Sequence, residues 1–224
     1  TPMLEFPANT GIQIVVNDKK ASGPGAEYLK KSIELEAGKS YYGIIHGAVD
    51  SEKWPNPDGF ETNLEITLIE ARPTATEPSA VDVLLFHSAM DSPFIDVLNN
   101  TIGVVADDLF FRSSTPYISF PSAPYLLNVT RGEDENFLIG SYDFDLSAYA
   151  GQTMAVVYVG SFLTLEQPTS PVKPALIGVL QDGTVIEFTR YDHPVAQIQI
   201  VHNSPSPEFD IIDLYLDDEL IYDN

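Results

Sequence analysis

Val83-Leu-Leu-Phe-His87-Ser-Ala-Met-Asp-Ser-Pro93-Phe-Ile-Asp96-Val97 is an apolar run ending in histidine, a Ser/Pro turn, and an aspartate that opens a second apolar run. The pattern returns, with a turn two residues longer, as Ile198-Gln-Ile-Val-His202-Asn-Ser-Pro205-Ser-Pro-Glu-Phe-Asp-Ile-Ile-Asp213-Leu-Tyr-Leu216. A run of four to eight apolar residues bounded by turn formers reads as a buried strand. Two such runs on either side of one turn, occurring twice, read as a repeated β unit.

Other landmarks keep the same period. Thr1-Pro-Met-Leu-Glu-Phe6-Pro7 matches Thr115-Pro-Tyr-Ile-Ser-Phe120-Pro121 at an offset of 114 residues, and His87 matches His202 at 115. Leu35-Glu-Ala-Gly38 through Gly47 matches Leu146 through Gly151 and Gly160, with the paired glycines nine apart in both copies. Within the period nearly everything reads as strand. Ile12, Ile14 and Val16 alternate with polar neighbours, as do Tyr125, Leu127 and Val129, and Tyr142, Phe144 and Leu146. Leu64, Ile66 and Leu68 do the same. Met154–Val159 and Ala175–Leu180 are continuously apolar and suit central strands, while Asp182-Gly183 signals a hairpin. Residues 27–35 could form a short helix, but their counterpart contains Gly140 and alternating aromatics, so both read as strands. About seven strands per hundred residues predicts an all-β chain of tandem antiparallel immunoglobulin-like β-sandwiches. Linkers are expected at 71–80 and 190–194.

Composition narrows the function classes. The chain has 224 residues, a formal net charge of -22 and no cysteine. Such acidity opposes binding to nucleic acid or anionic membrane, and no apolar run is long enough to span a bilayer. Disulfides and thiolate metal sites are excluded. No nucleophile elbow, zinc-binding helix motif or phosphate loop occurs, so the chain reads as a non-enzyme without a cofactor. Asn99-Asn-Thr101 and Asn128-Val-Thr130 are glycosylation sequons.

The His-led Ser/Pro turn with its Asp-Val or Asp-Leu strand, the Phe-Pro step and the Leu…Ala-Gly…Gly strand resemble the bacterial and archaeal domain of unknown function 4397. The resemblance covers most of the chain and departs from the family at Ala89-Met90, where the family has Ser-Pro. It implies a secreted or cell-surface β-sandwich module, often in tandem, with no assigned activity.

Phasing the repeat divides the chain. Residues 1–80 align with the later part of a repeat, 81–194 form a complete sandwich, and 195–224 carry the leading strands of another. A two-stranded head cannot bury Ile198, Ile200, Leu214, Leu216 and Ile221 by itself, and the 1–80 half leaves open sheet edges. The expectation is that 195–224 completes the 1–80 half of a neighbouring copy by strand addition. Such a head-to-tail contact builds filaments when it does not close. Closure within one chain, or continuation as a longer array, would also satisfy the phase.

Three groups are candidate sites. His87 and His202 occupy equivalent positions, where an imidazole is expected to tie the turn backbone rather than bind a ligand. Glu133, Asp134 and Glu135 are the acidic cluster best placed to bind calcium, since hard oxygen ligands on a turn suit that ion. Trp54, Asn56 and Asp58, in a loop peculiar to the first copy, offer an aromatic face with polar neighbours for a glycan. The function expected is that of an extracellular structural or adhesive protein partnered by copies of itself, with glycan or calcium binding as the alternative.

Overall fold

Alternating and continuously apolar stretches are realised as extended chain along most of the sequence. The structure, a computed structural model, describes residues 4–20, 23–162, 173–191, 214–216 and 219–222. Its strands are β1 (Gly11–Lys20), β2 (Gly23–Glu34), β3 (Ser40–His46), β4 (Glu65–Ala71), β5 (Ala80–His87), β6 (Ile95–Asn99), β7 (Gly103–Leu109) and β8 (Ile118–Pro121). They continue as β9 (Pro124–Arg131), β10 (Asp134–Asp145), β11 (Thr153–Val159), β12 (Ala175–Leu180), β13 (Val185–Phe188), β14 (Arg190–Tyr191), β15 (Leu214–Leu216) and β16 (Glu219–Tyr222). A 3-10 turn at Ser51–Lys53 is the only helical element among the described residues, and no described helix is long and apolar enough to cross a membrane. The ambiguous segment 27–35 lies mainly in β2, as a strand.

Two five-stranded sheets, ordered β14-β10-β9-β6-β7 and β13-β12-β11-β5-β8, face one another in a sandwich-like arrangement. Val83, Leu85, Met154, Val156 and Tyr158 from one sheet share a core with Val97, Leu127, Val129, Tyr142 and Phe144 from the other. The rings of Phe144 and Phe188 lie tilted with centroids 4.6 Å apart, and Phe120 stands edge-on to Phe144 at 5.7 Å. Pairing departs from the antiparallel expectation where β5 runs parallel to β11, with Val83 opposite Met154 and Leu85 opposite Val156. Asp182-Gly183 forms the expected hairpin between β12 and β13, with Asp182 Oδ1 accepting from the Thr184 amide.

The expected linker at 71–80 is a tie rather than a tether. Asp82 is fully buried, and its carboxylate accepts from the Thr76 amide and hydroxyl and from Arg72 Nη1 at 2.5 Å. Burial alone would raise this carboxyl's pKa. The hydrogen bonds from Thr76 and Arg72 outweigh it, and the group lies below the ordinary value of 3.8. Part of the second expected linker, Arg190–Tyr191, is strand β14 against β10.

Residues 1–192 form one compact unit and 193–224 a second. In the second, β15 and β16 pair as an antiparallel hairpin, with Leu214 opposite Tyr222. Leu214, Leu216 and Ile221 lie in these two strands; Ile198, Ile200 and His202 lie outside the described residues.

Antiparallel hairpins recur along the chain. Hairpin β1–β2 corresponds to β9–β10, β3–β4 to β11–β12, and β15–β16 to β6–β7. The glycines nine apart bracket β3 and β11 and explain their own spacing. Gly47 and Gly160 have φ of 82° and 106°, and a Cβ would stand 2.3 Å from the Asn63 carbonyl oxygen in one and from that of Lys173 in the other. Only glycine fits where the chain leaves the strand in a left-handed conformation against another backbone. Gly160→Ala is expected to cost roughly 2–3 kcal/mol, combining left-handed strain with displacement of the neighbouring backbone. A urea midpoint indistinguishable from that of the parent would contradict this.

Candidate functional site

The two repeats use equivalent strands but bury them unequally. In the complete sandwich, the inward residues of β9, β10 and β11 are sealed by the facing sheet. The inward positions of the first repeat are Ile12, Ile14, Val16, Leu29, Lys31 and Ile33 on β1–β2, and Tyr41, Gly43, Ile45, Ile66 and Leu68 on β3–β4. Among these only Ile66 is buried. Ile45 is 53% exposed where its counterpart Tyr158 is 2% exposed, and Phe6 is 50% exposed where Phe120 is 0%. Between the two hairpins is a groove of about 700 Å3 of mixed lining, with Leu4, Phe6, Ile14, Ile33, Leu35 and Leu68 beside the polar Glu5, Glu36, Lys39, Ser40 and Tyr41.

A polar bridge links β2 to β4. Lys31, at an inward position of β2, donates to Glu65 Oε1 at 2.6 Å and to the Ile66 carbonyl at 2.7 Å on β4. The Lys31 hydrogen bond holds the Glu65 carboxyl below its usual range. Among the described residues, β1 and β2 pair only with each other, as do β3 and β4, so each two-stranded sheet has an unpaired edge.

The opposite face of β3–β4 is covered. Tyr42, Ile44, Ile69 and Ala71 pack on Leu84, Phe86, Ala155 and Val157, the outward side chains of β5 and β11. The two repeats thus meet through the outer faces of equivalent strands, which explains why β5 is buried along its whole length. His46 sits in this interface, 5.7 Å from the Phe86 ring and 5.8 Å from Phe111, with Nε2 2.7 Å from the Thr67 hydroxyl. Burial, reinforced by the nearby Arg112 cation, lowers its pKa to about 4.

His87 ties the turn that follows it. Its Nδ1 accepts from the Ala89 amide at 3.2 Å, so Nε2 carries the proton and donates to the Pro93 carbonyl at 3.1 Å. The ring is wholly enclosed, edge-on to Tyr158 at 5.4 Å, and burial lowers its pKa to about 4. Both nitrogens serve the backbone, so this imidazole is structural.

The loop proposed for a glycan docks on this same turn. Asn56 is buried and donates to the carbonyls of Met90 and Ser92 at 2.8 and 3.0 Å, while its own Oδ1 accepts from the Asp58 amide. Asp58 Oδ2 accepts from the Phe94 amide at 2.7 Å. Trp54 is half-buried, and its carbonyl accepts from the Thr62 hydroxyl. A cleft of about 520 Å3 brings Asn56 and Asp58 beside Asp91, Arg131, Glu133 and Phe162. Of the acidic cluster proposed for calcium, Glu133 therefore faces this cleft, Asp134 opens β10, and the Glu135 side chain lies outside the described residues. Among the described residues, carboxylates converge at Asp96, Asp107 and Asp108, with oxygens within 4.8 Å of one another. Asp96 Oδ1 accepts from the Asp108 amide, linking β6 to β7 beside the register shift between Ile95 and Val97.

Of the two sequons, Asn99 is buried. It donates to the Leu126 carbonyl and accepts from the amides of Thr101 and Ile102, so its amide is a turn element and is closed to glycosylation. No family model matches the chain, and no curated protein sequence matches it.

Proposed function

We propose that this chain is a non-enzymatic structural or adhesive protein of the cell surface. In this reading it is built of tandem immunoglobulin-like sandwiches of the domain of unknown function 4397 type and assembles by strand complementation. The observation that supports it is the open groove between β1–β2 and β3–β4. The groove takes Ile14 and Ile33 from one hairpin and Leu68 from the other, with Phe6 half exposed on its rim, and Ile45 on the inward side of β3 is half exposed as well. Strand addition at such a site satisfies edge amides and carbonyls while burying the inner faces, which makes the contact both specific and strong. The glycan-binding alternative draws less support, because Asn56 and Asp58 direct their polar atoms at Met90, Ser92 and Phe94.

Light scattering over a range of protein concentrations, with negative-stain microscopy of the same samples, tests the proposal. Concentration-dependent oligomers or filaments are expected, strengthening with added salt because each copy carries a net charge of -22. A strictly monomeric 24.6 kDa species at every concentration would overturn it.

A further inference from the structure

We infer that the bulge between β6 and β7 is a binding site for a divalent cation, calcium by its chemistry, with Asp96, Asp107, Asp108 and the Thr130 hydroxyl as the protein ligands. These residues are distinct from the acidic turn at Glu133 and from the groove, and the site does not depend on how the groove is filled.

Strand register brings the carboxylates together. Ile95 pairs with Leu109 and Val97 with Ala106, so Asp96 alone on β6 stands against both Asp107 and Asp108 on β7. Two residues against one is a β-bulge, which interrupts the ladder and re-aims side chains. The carboxylate oxygens come within 4.8 Å of one another, with Asp96 buried and the other two exposed.

Exposed carboxylates gather on many surfaces without a ligand, and Thr130 is what distinguishes this set. Val97 and Val129 face the core. Successive side chains alternate, so Asp96 and its cross-strand partner Thr130 share the other face of the sheet. Residues directly opposite in this way have Cβ atoms about 5 Å apart. Thr130 is 3% exposed, and its Oγ1 has no hydrogen-bond partner among the described residues. Its neighbour on the other flank is Leu138, which offers no polar side-chain atom. The same face continues to Gly132, where a Cβ would stand 2.9 Å from Asp108 Oδ1. The hydroxyl therefore opens toward Asp96 and Asp108. A buried hydroxyl left without a partner is costly, and a cation shared with the carboxylates supplies one.

Ligand chemistry selects the ion. Carboxylate and hydroxyl oxygens, with no imidazole or thiolate among them, suit calcium, magnesium or manganese rather than a soft metal. Calcium, with bonds of about 2.4 Å and tolerant geometry, accommodates oxygens up to 4.8 Å apart, whereas magnesium demands a near-ideal octahedron at about 2.1 Å. Bound here, the ion would hold β7, the last strand of its sheet, to β6 where the bulge interrupts their ladder.

Calorimetric titration of the whole chain tests the site, after chelator treatment and in about 0.15 M NaCl to screen diffuse attraction to the net charge of -22. The expected result is one calcium ion per chain with Kd on the order of 0.1 mM, and magnesium at least about tenfold weaker. Calcium at a hundredfold excess over Kd should raise Tm by about 5–10 °C. Asp107→Asn, at an exposed position, is expected to weaken calcium by about tenfold or more. Glu187→Gln removes the same charge from an exposed position on β13 and should change affinity by less than about twofold. Thr130→Val should weaken calcium by about threefold or more, while the metal-free Tm holds or rises because an unpartnered hydroxyl is replaced by a methyl group. Absence of one-to-one binding, or equal losses in Asp107→Asn and Glu187→Gln, would mean diffuse counterion attraction and overturn the site. Undiminished affinity in Thr130→Val would overturn the hydroxyl as a ligand.

Discussion

Phe120→Ala is expected to destabilise the chain by about 3–5 kcal/mol, whereas Phe6→Ala, at the same position of the preceding repeat, changes monomer stability by less than about 0.5 kcal/mol. Phe120 is fully buried, with its ring 5.5 Å from Tyr125 and 5.7 Å from Phe144, so truncation removes transfer free energy and leaves a cavity among rigid neighbours. Phe6 is half exposed on the rim of the groove. Urea unfolding at a concentration below assembly compares the two. The groove predicts a further asymmetry: once copies associate, Phe6 becomes a core residue, and Phe6→Ala should then weaken assembly while leaving the monomer unchanged. Equal costs for the two substitutions in the monomer would mean that the first repeat is already closed.

Acidification from pH 7 to pH 5 is expected to remove about 4 kcal/mol of folding stability, about 2 kcal/mol from each of His46 and His87. Both are held neutral by burial, with pKa values near 4 against an ordinary 6.5. A histidine whose folded pKa is depressed takes up protons more readily when unfolded. Its contribution is therefore complete above pH 6.5 and declines as pH falls toward 4. Thermal unfolding in matched buffers measures it. His87→Gln, which keeps a donor for the Pro93 carbonyl, should abolish roughly half of the pH dependence. A flat profile from pH 7 to 5 would show that the two rings are hydrated.

Much of this architecture is legible in residue order. Alternation with period two locates strands because successive side chains point to opposite faces, and β1, β9 and β10 lie where Ile12–Val16, Tyr125–Val129 and Tyr142–Phe144 place them. Gly38 and Gly151, like Gly47 and Gly160, mark positive φ at equivalent strand ends, so the spacing of nine is a backbone requirement visible as a repeat. The tie made by His87 was also readable, since a repeated histidine beside a repeated turn points to a structural part. The roles of Asn56 and Asp58 were not. Their partners are backbone groups more than 30 residues away, and backbone groups carry no sequence signal.

Sequence alone determined the all-β class and the place of most strands, because these follow from local periodicity and from backbone conformations that few residues tolerate. Tertiary structure alone decided which faces are covered. Val83-Leu-Leu-Phe86 announces a strand buried on both sides, but only packing shows that Val83 and Leu85 face their own core while Leu84 and Phe86 receive Tyr42, Ile44 and Ile69 of the previous repeat. The same holds for the groove, since Ile14 and Leu127 are equivalent in sequence and differ only in what lies opposite. Hydrophobic burial is proportional to area and indifferent to partner, so an apolar pattern states that a face must be covered and leaves to the fold what covers it.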